Sequence, residues 1–239
     1  METLVESLQA FLERNLRTVL SDLKAGKLTA REAAKALGGL ESALEDAGLA
    51  DRLERLRGLF QAEYDAVQSE FEQTTGKKAL LGDFARRNLE VIVDDRIAMA
   101  SQTINTYLGD VRSVVLDSVL AGKDVKVSEV LRDAEGATMR NLKTEINTSL
   151  MAYQRAAHLE KSRKAGVTKF LYVGPEDKVT RDFCLDRVDT VYSLQEIEAM
   201  DNGQGLPVII YGGGYNCRHH WRPVSDDLAE ELEGEGNGN

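Results

Sequence analysis

The chain has 239 residues, only three of them proline, few aromatics and a formal net charge of -10. That length can bury a sizeable core in one large domain or two smaller ones, and the abundance of Ala, Leu, Glu and Arg points to a mainly helical protein. The negative charge argues against non-specific nucleic-acid binding by the whole molecule. No stretch approaches the roughly 18 apolar residues of a membrane span, and the opening Met-Glu-Thr-Leu-Val-Glu lacks the segments of a signal peptide. A cytosolic protein without a membrane partner is therefore expected, and there two cysteines serve more often as thiols or metal ligands than as a permanent disulfide.

From Leu4 to Leu23 apolar residues recur at spacings of three and four (Leu8, Phe11, Leu12, Leu16, Val19, Leu20), which predicts a helix stopping near Ala25-Gly26. Thr29 followed by Glu32 reads as a capping box for a second helix ending at Gly48, and a third is expected from about Asp51 to Glu72. Short connections predict that the three pack as an antiparallel bundle. A long segment over about Leu81–Leu120, with an interruption at Gly109-Asp110, should stop at Gly122. Val125 and Val127 read as a short extended piece, Ser128 as the cap of a brief helix, and a long helix is expected from about Ala137 to Lys164 with Met139, Leu142, Ile146, Leu150, Tyr153 and Ala157 on its buried face.

After Gly166 the composition changes. Thr168–Val173 reads as a strand, Thr180 as the cap of a short helix carrying Arg181 and Cys184, Ser193 with Glu196 as another capping box, and Pro207–Tyr211 as a second short strand. The acidic end, 225–239, is expected to form at most a turn or two of helix before a mobile terminus. The fold class is thus mainly α with a small C-terminal α+β module. The serial layout is 1–76 as an N-terminal helical bundle, 77–165 as a long helical region, 166–224 as the module and 225–239 as a flexible tail.

Both cysteines, two of the three histidines and the single tryptophan fall between Thr180 and Pro223. Cys217 and His219 are two apart, so in an extended segment their side chains share a side while His220 points the other way. With Cys184 alongside, two thiolates and an imidazole form a donor set for a structural zinc ion, with His220, His158 or a carboxylate such as Asp182 as fourth ligand. Buried thiols and a disulfide are the competing readings. No general base is positioned by the spacing, so catalysis is not expected; the alternatives are a metal-dependent enzyme acting on nucleic acid or nucleotide through Arg181, His219 and His220, and a zinc-binding interaction module. Gly212-Gly213-Gly214 lacks the Lys-Ser/Thr of a phosphate loop and reads as a tight turn. Trp221 reads as a core or interface anchor. The basic run holding Arg155, Lys161, Arg163 and Lys164 is the one place where a phosphate backbone could be met.

Asp177-x-x-Thr180-Arg181-x-x-Cys184, then Asp201-Asn202-Gly203-x-Gly205-Leu206-Pro207, then Gly213-Gly214-Tyr215-Asn216-Cys217-Arg218-His219, with Trp221 and Pro223 following, resembles the C-terminal module of the phage minor head proteins of the Mu F and SPP1 head-morphogenesis type. The resemblance covers about Leu142–Val224. It implies a structural virion component, not an enzyme, assembled in the host cytoplasm and lying at the portal vertex or capsid interior. The partners it implies are the portal protein, the major capsid protein, or further copies of the chain. That family commonly has His where this chain has Cys184 and Cys where it has His219, an exchange that suits metal ligands better than disulfide partners.

Overall fold

The computed structural model describes residues 2–121 and 126–236, without the side chains of 2–5, 133–140, 235 and 236. The expected stop at Gly122, the extended Val125, the side chains of Leu4 and Met139 and the end of the chain from Asn237 lie outside the described residues. The chain is mainly helical with a small α+β part in its last third.

Helix α1 (Glu2–Lys24) ends at Gly26, whose φ of 68° only a residue without Cβ adopts cheaply. The Thr29–Glu32 capping box opens α2 (Ala30–Gly38). The single helix expected up to Gly48 is instead two, because Gly38-Gly39 breaks it before α3 (Leu40–Asp46). α4 (Leu49–Thr75) follows. α5 (Asp83–Leu120) runs through Gly109-Asp110 without interruption, and α6 (Val127–Ala165) absorbs both Val127 and the two helices expected around Ser128 and Ala137. An interior glycine costs a helix only about 1 kcal/mol relative to alanine, too little to stop one whose apolar face is buried.

β1 (Lys169–Val173) is followed by α7 (Asp182–Leu185), β2 (Val191–Ser193), α8 (Leu194–Ala199), α9 (Val208–Tyr211), β3 (His220–Val224) and α10 (Asp226–Gly236). The strands form an antiparallel sheet in the order β2-β1-β3, with Tyr172 opposite Trp221 and Leu171 opposite Arg222. The Ser193–Glu196 capping box is present at α8.

Three expectations fail here. Pro207–Tyr211 is not a strand: the Gly212 N–H bonds the Val208 carbonyl at 2.8 Å, while the Val208 and Ile210 carbonyls also take the Trp221 indole N–H and an Arg155 N–H. Thr180 does not cap α7, whose N-cap is Arg181; its hydroxyl accepts the Asp177 N–H at 3.0 Å in the preceding turn. The acidic segment is no loose tail over its described length, because Asp226–Gly236 is helical and Ala229 packs with Leu171, Val173 and Val224. Asp226 and Asp227 sit in the first turn of α10, where the helix dipole favours negative charge.

The chain divides into two compact units, each drawn from separated segments, so serial boundaries at 76 and 165 do not separate them. The first comprises Met1–Leu56 and Ile97–Thr144 and buries Leu12, Leu16, Leu37, Leu44, Ile104, Tyr107 and Val111 among its helices. The second comprises Arg57–Arg96 and Glu145–Asn239 and holds the whole sheet. Alternation along β1 directs Phe170 and Tyr172 into a core with Trp221, Cys184, Cys217, Ile197 and Val208, and Leu171 and Val173 into the smaller core under α10.

Candidate metal centre

Cys184 lies on α7, Cys217 in the turn after the glycine run, and His219 just before β3; all three side chains are buried. Their donor atoms lie within 4.8 Å of one another, and this group could hold a metal ion. The two cysteines are free thiols with their sulfurs 3.8 Å apart. Two bonds of about 2.3 Å at a tetrahedral zinc place their sulfurs about 3.8 Å apart, so this pair already has the required spread. His219 Nε2 is buried with no hydrogen-bond partner, and an orphaned imidazole nitrogen beside two thiols fits a soft or borderline cation. Between the thiols the proton is unevenly held. The hydrogen bond from Cys184 is the main influence lowering the pKa of Cys217, and the same bond raises that of Cys184.

The backbone is shaped to this cluster. Asn216 takes φ 56° and its N–H donates to Thr148 Oγ1 at 2.9 Å, turning the chain so that Cys217 faces inward. The Gly213 N–H donates to Cys217 Sγ at 3.2 Å. A Cβ on Gly213 would stand 2.6 Å from Cys184 Sγ, and one on Gly174 would stand 2.4 Å from the His219 ring. The glycine run is therefore a close approach of backbone to sulfur, as well as a tight turn.

Arg155, on α6, is 2 % exposed and reaches into the module. Its guanidinium donates to the carbonyls of His219 (2.9 Å), Cys217 (2.9 Å) and Ile210 (3.0 Å), and among the described residues no carboxylate partners it. Lys161, also buried, donates to the Ala79 carbonyl at 3.0 Å and to Gln68, with the Tyr64 ring 4.8 Å away. These two are thus removed from the expected phosphate-binding surface. Arg163 pairs with Glu160, and Lys164 donates to the Leu80 carbonyl.

His158 and His220, expected as alternative fourth ligands, belong to a separate group with Glu70 of α4. Glu70 accepts from His158 at 2.9 Å, His220 at 3.3 Å and Arg222 at 2.8 Å, and the two imidazoles stack with centroids 5.8 Å apart. Burial opposes ionisation of Glu70, yet the hydrogen bonds from His158 and His220 hold its carboxyl well below the usual range. His158 is displaced downward by its own burial, against the pull of Glu70, so the ring stays neutral and Arg222 supplies the matching charge. A histidine whose folded value is depressed stabilises fully above its unfolded value of about 6.5 and loses that contribution as pH falls below it. Stability of this unit should therefore decline from about pH 6.5 downward, by at most about 1.4 kcal/mol per pH unit for this one proton. Denaturant midpoints between pH 7.5 and 5.5 measure it, and His158→Gln should flatten the profile.

The remaining signature residues are braces. Arg218 makes a two-pronged pair with Asp177 at 2.6 and 2.7 Å, Arg181 donates to the Tyr215 carbonyl at 2.7 Å, and Trp221 donates to Val208 at 3.0 Å. Pro223 sits in β3 opposite Phe170. Asp182, in the first turn of α7, is not among the residues grouped with Cys184, Cys217 and His219. Glu70 and Tyr172 were not singled out from the sequence: Glu70 is one of many acidic residues on an amphipathic helix, and Tyr172 reads only as a strand residue. The one usable signal for Tyr172 is its two-residue spacing from Phe170, which puts it on the face that meets the cysteines.

No described helix is long and apolar enough to cross a membrane. Comparisons of the chain with protein-family models, with curated proteins and with solved structures give no match.

Proposed function

We propose that this protein is a structural minor head protein of the tailed-phage head-morphogenesis type, which joins the portal or the capsid interior during assembly. The observation that carries this reading is that the arginines of the signature region, and His220 and Arg222 beside Glu70 of α4, are engaged within the protein. Arg155 binds three carbonyls, Arg218 binds Asp177, Arg181 binds Tyr215 and Glu70 gathers two histidines and an arginine. Such a block is a rigid brace rather than a set of groups poised on a substrate, and its residue order is the one that resembles the family. Zinc at Cys184, Cys217 and His219 serves the same end, cross-linking α7 to the chain entering β3 without redox chemistry. Co-expression with the portal protein of the same genome tests the assembly role. The expected result is co-sedimentation with the portal ring or the assembled head. A chain that sediments alone in the presence of both portal and capsid protein, or that cleaves nucleic acid in a manner lost in His219→Ala, overturns it.

A further inference from the structure

A zinc ion held by two cysteines and one histidine needs a fourth donor to form a closed structural site. Neither of the remaining histidines supplies it, since both are committed to Glu70. The atom that does stand beside the cluster is a phenol oxygen. Tyr172 Oη lies 3.4 Å from Cys184 Sγ and 3.5 Å from Cys217 Sγ. At a tetrahedral zinc, a sulfur at about 2.3 Å and an oxygen at about 2.0 Å lie about 3.5 Å apart.

We infer that Tyr172 is the fourth ligand, closing a Cys184–Cys217–His219–Tyr172 site for a divalent zinc-like cation; this rests on the metal reading above. Three further observations support it. Tyr172 is wholly buried in the centre of the sheet, and its hydroxyl has the two sulfurs as its hydrogen-bond partners. A sulfur is a weak partner for a phenol, and a buried tyrosine hydroxyl ordinarily finds a stronger one. Its ring stacks on His219 with centroids 5.3 Å apart and an angle of 16°, and packs against Trp221 at 4.2 Å, so the oxygen cannot swing away. A positive charge also stands close by: a Cβ built on Gly212 would meet Cys217 Sγ at 3.0 Å, Arg155 Nη2 at 3.2 Å and Tyr172 Oη at 3.2 Å. That guanidinium offsets the negative charge that two thiolates and a phenolate bring to one cation. Binding releases to solvent whatever proton the thiol pair holds, together with the phenol proton, while His219 coordinates as the neutral ring. A shell so closed leaves no position for a substrate or an activated water, which separates a structural ion from a catalytic one.

The test uses the full chain, stripped of metal and titrated with Co²⁺ as a spectroscopic probe. Wild type should bind one equivalent with thiolate charge-transfer bands, intense tetrahedral d–d bands and the ultraviolet difference band of ionised tyrosine. Tyr172→Phe, which keeps the ring and its packing, should retain the thiolate bands, lose the tyrosine band and bind at least about tenfold more weakly. Equal affinity and identical spectra for the two proteins overturn the Tyr172 assignment alone. Should the variant not fold, a wild-type titration without the tyrosine band overturns it equally. Failure of wild type to bind Co²⁺ or Zn²⁺ at all removes the metal reading itself, a result recognisably different from the other two.

Discussion

Arg155→Ala should unfold the C-terminal unit or leave it barely stable, with a loss of at least about 4 kcal/mol. The guanidinium satisfies the carbonyls of Ile210, Cys217 and His219, on a stretch of chain that lacks sheet or helix partners for them. Removing it leaves three acceptors without donors, those of Cys217 and His219 buried and costing about 1–3 kcal/mol each, and opens a cavity where the side chain lay. Arg155→Lys tests the cause. A single ammonium cannot reproduce the planar fork that reaches divergent carbonyls, so lysine should recover only part of the loss. Urea unfolding followed by Trp221 fluorescence reads this unit directly, because the only tryptophan lies in its core. A midpoint within experimental scatter of wild type would mean that the carbonyls find other partners.

Glu70→Ala should cost about 2–4 kcal/mol. The carboxylate gathers residues of α6 and β3, and without it the His158 ring, 1 % exposed, has no partner at either nitrogen, while Arg222 loses its counter-charge. Glu70→Gln keeps an acceptor for one imidazole but not the charge for Arg222, so its cost should be about half as large. Amide hydrogen exchange at His220–Val224 locates the effect: protection in β3 should fall more than protection in α8, which Glu70 does not touch. Uniform loss across the unit would place the role of Glu70 elsewhere.

How much of this was legible in the sequence depends on the range over which each feature is determined. The capping boxes at Thr29–Glu32 and Ser193–Glu196 are set by residues three apart, and both form as expected. Strand β1 likewise announces itself by its β-branched and aromatic run. Val208-Ile209-Ile210 carries the same kind of composition yet coils, because its carbonyls are claimed by Arg155 and Trp221 from elsewhere in the chain. The gathering of Cys184, Cys217 and His219 was readable as a donor set from residue type and spacing. The Glu70 group was not, since its members come from three elements and nothing in the local pattern of α4 distinguishes Glu70 from its neighbours. Arg155 and Lys161 misled for the opposite reason. A basic run at a helix end ordinarily faces water, and only the tertiary structure shows two of these cations turned inward.

The order in which the chain is synthesised acquires a meaning from the contacts of Glu70. Its partners lie 88, 150 and 152 residues further along, and β1 waits for β3 across the whole intervening module. Loop closure over such distances is slow and comes before any contact rewards it. On a translating ribosome the local helix pairs α1–α2 and α2–α3 can settle early, while the C-terminal unit stays open until the His219–Val224 segment has emerged. The nascent chain therefore carries the apolar faces of β1 and the Cys184 thiol uncovered from the time they are made, until the last-made strand closes both in one step.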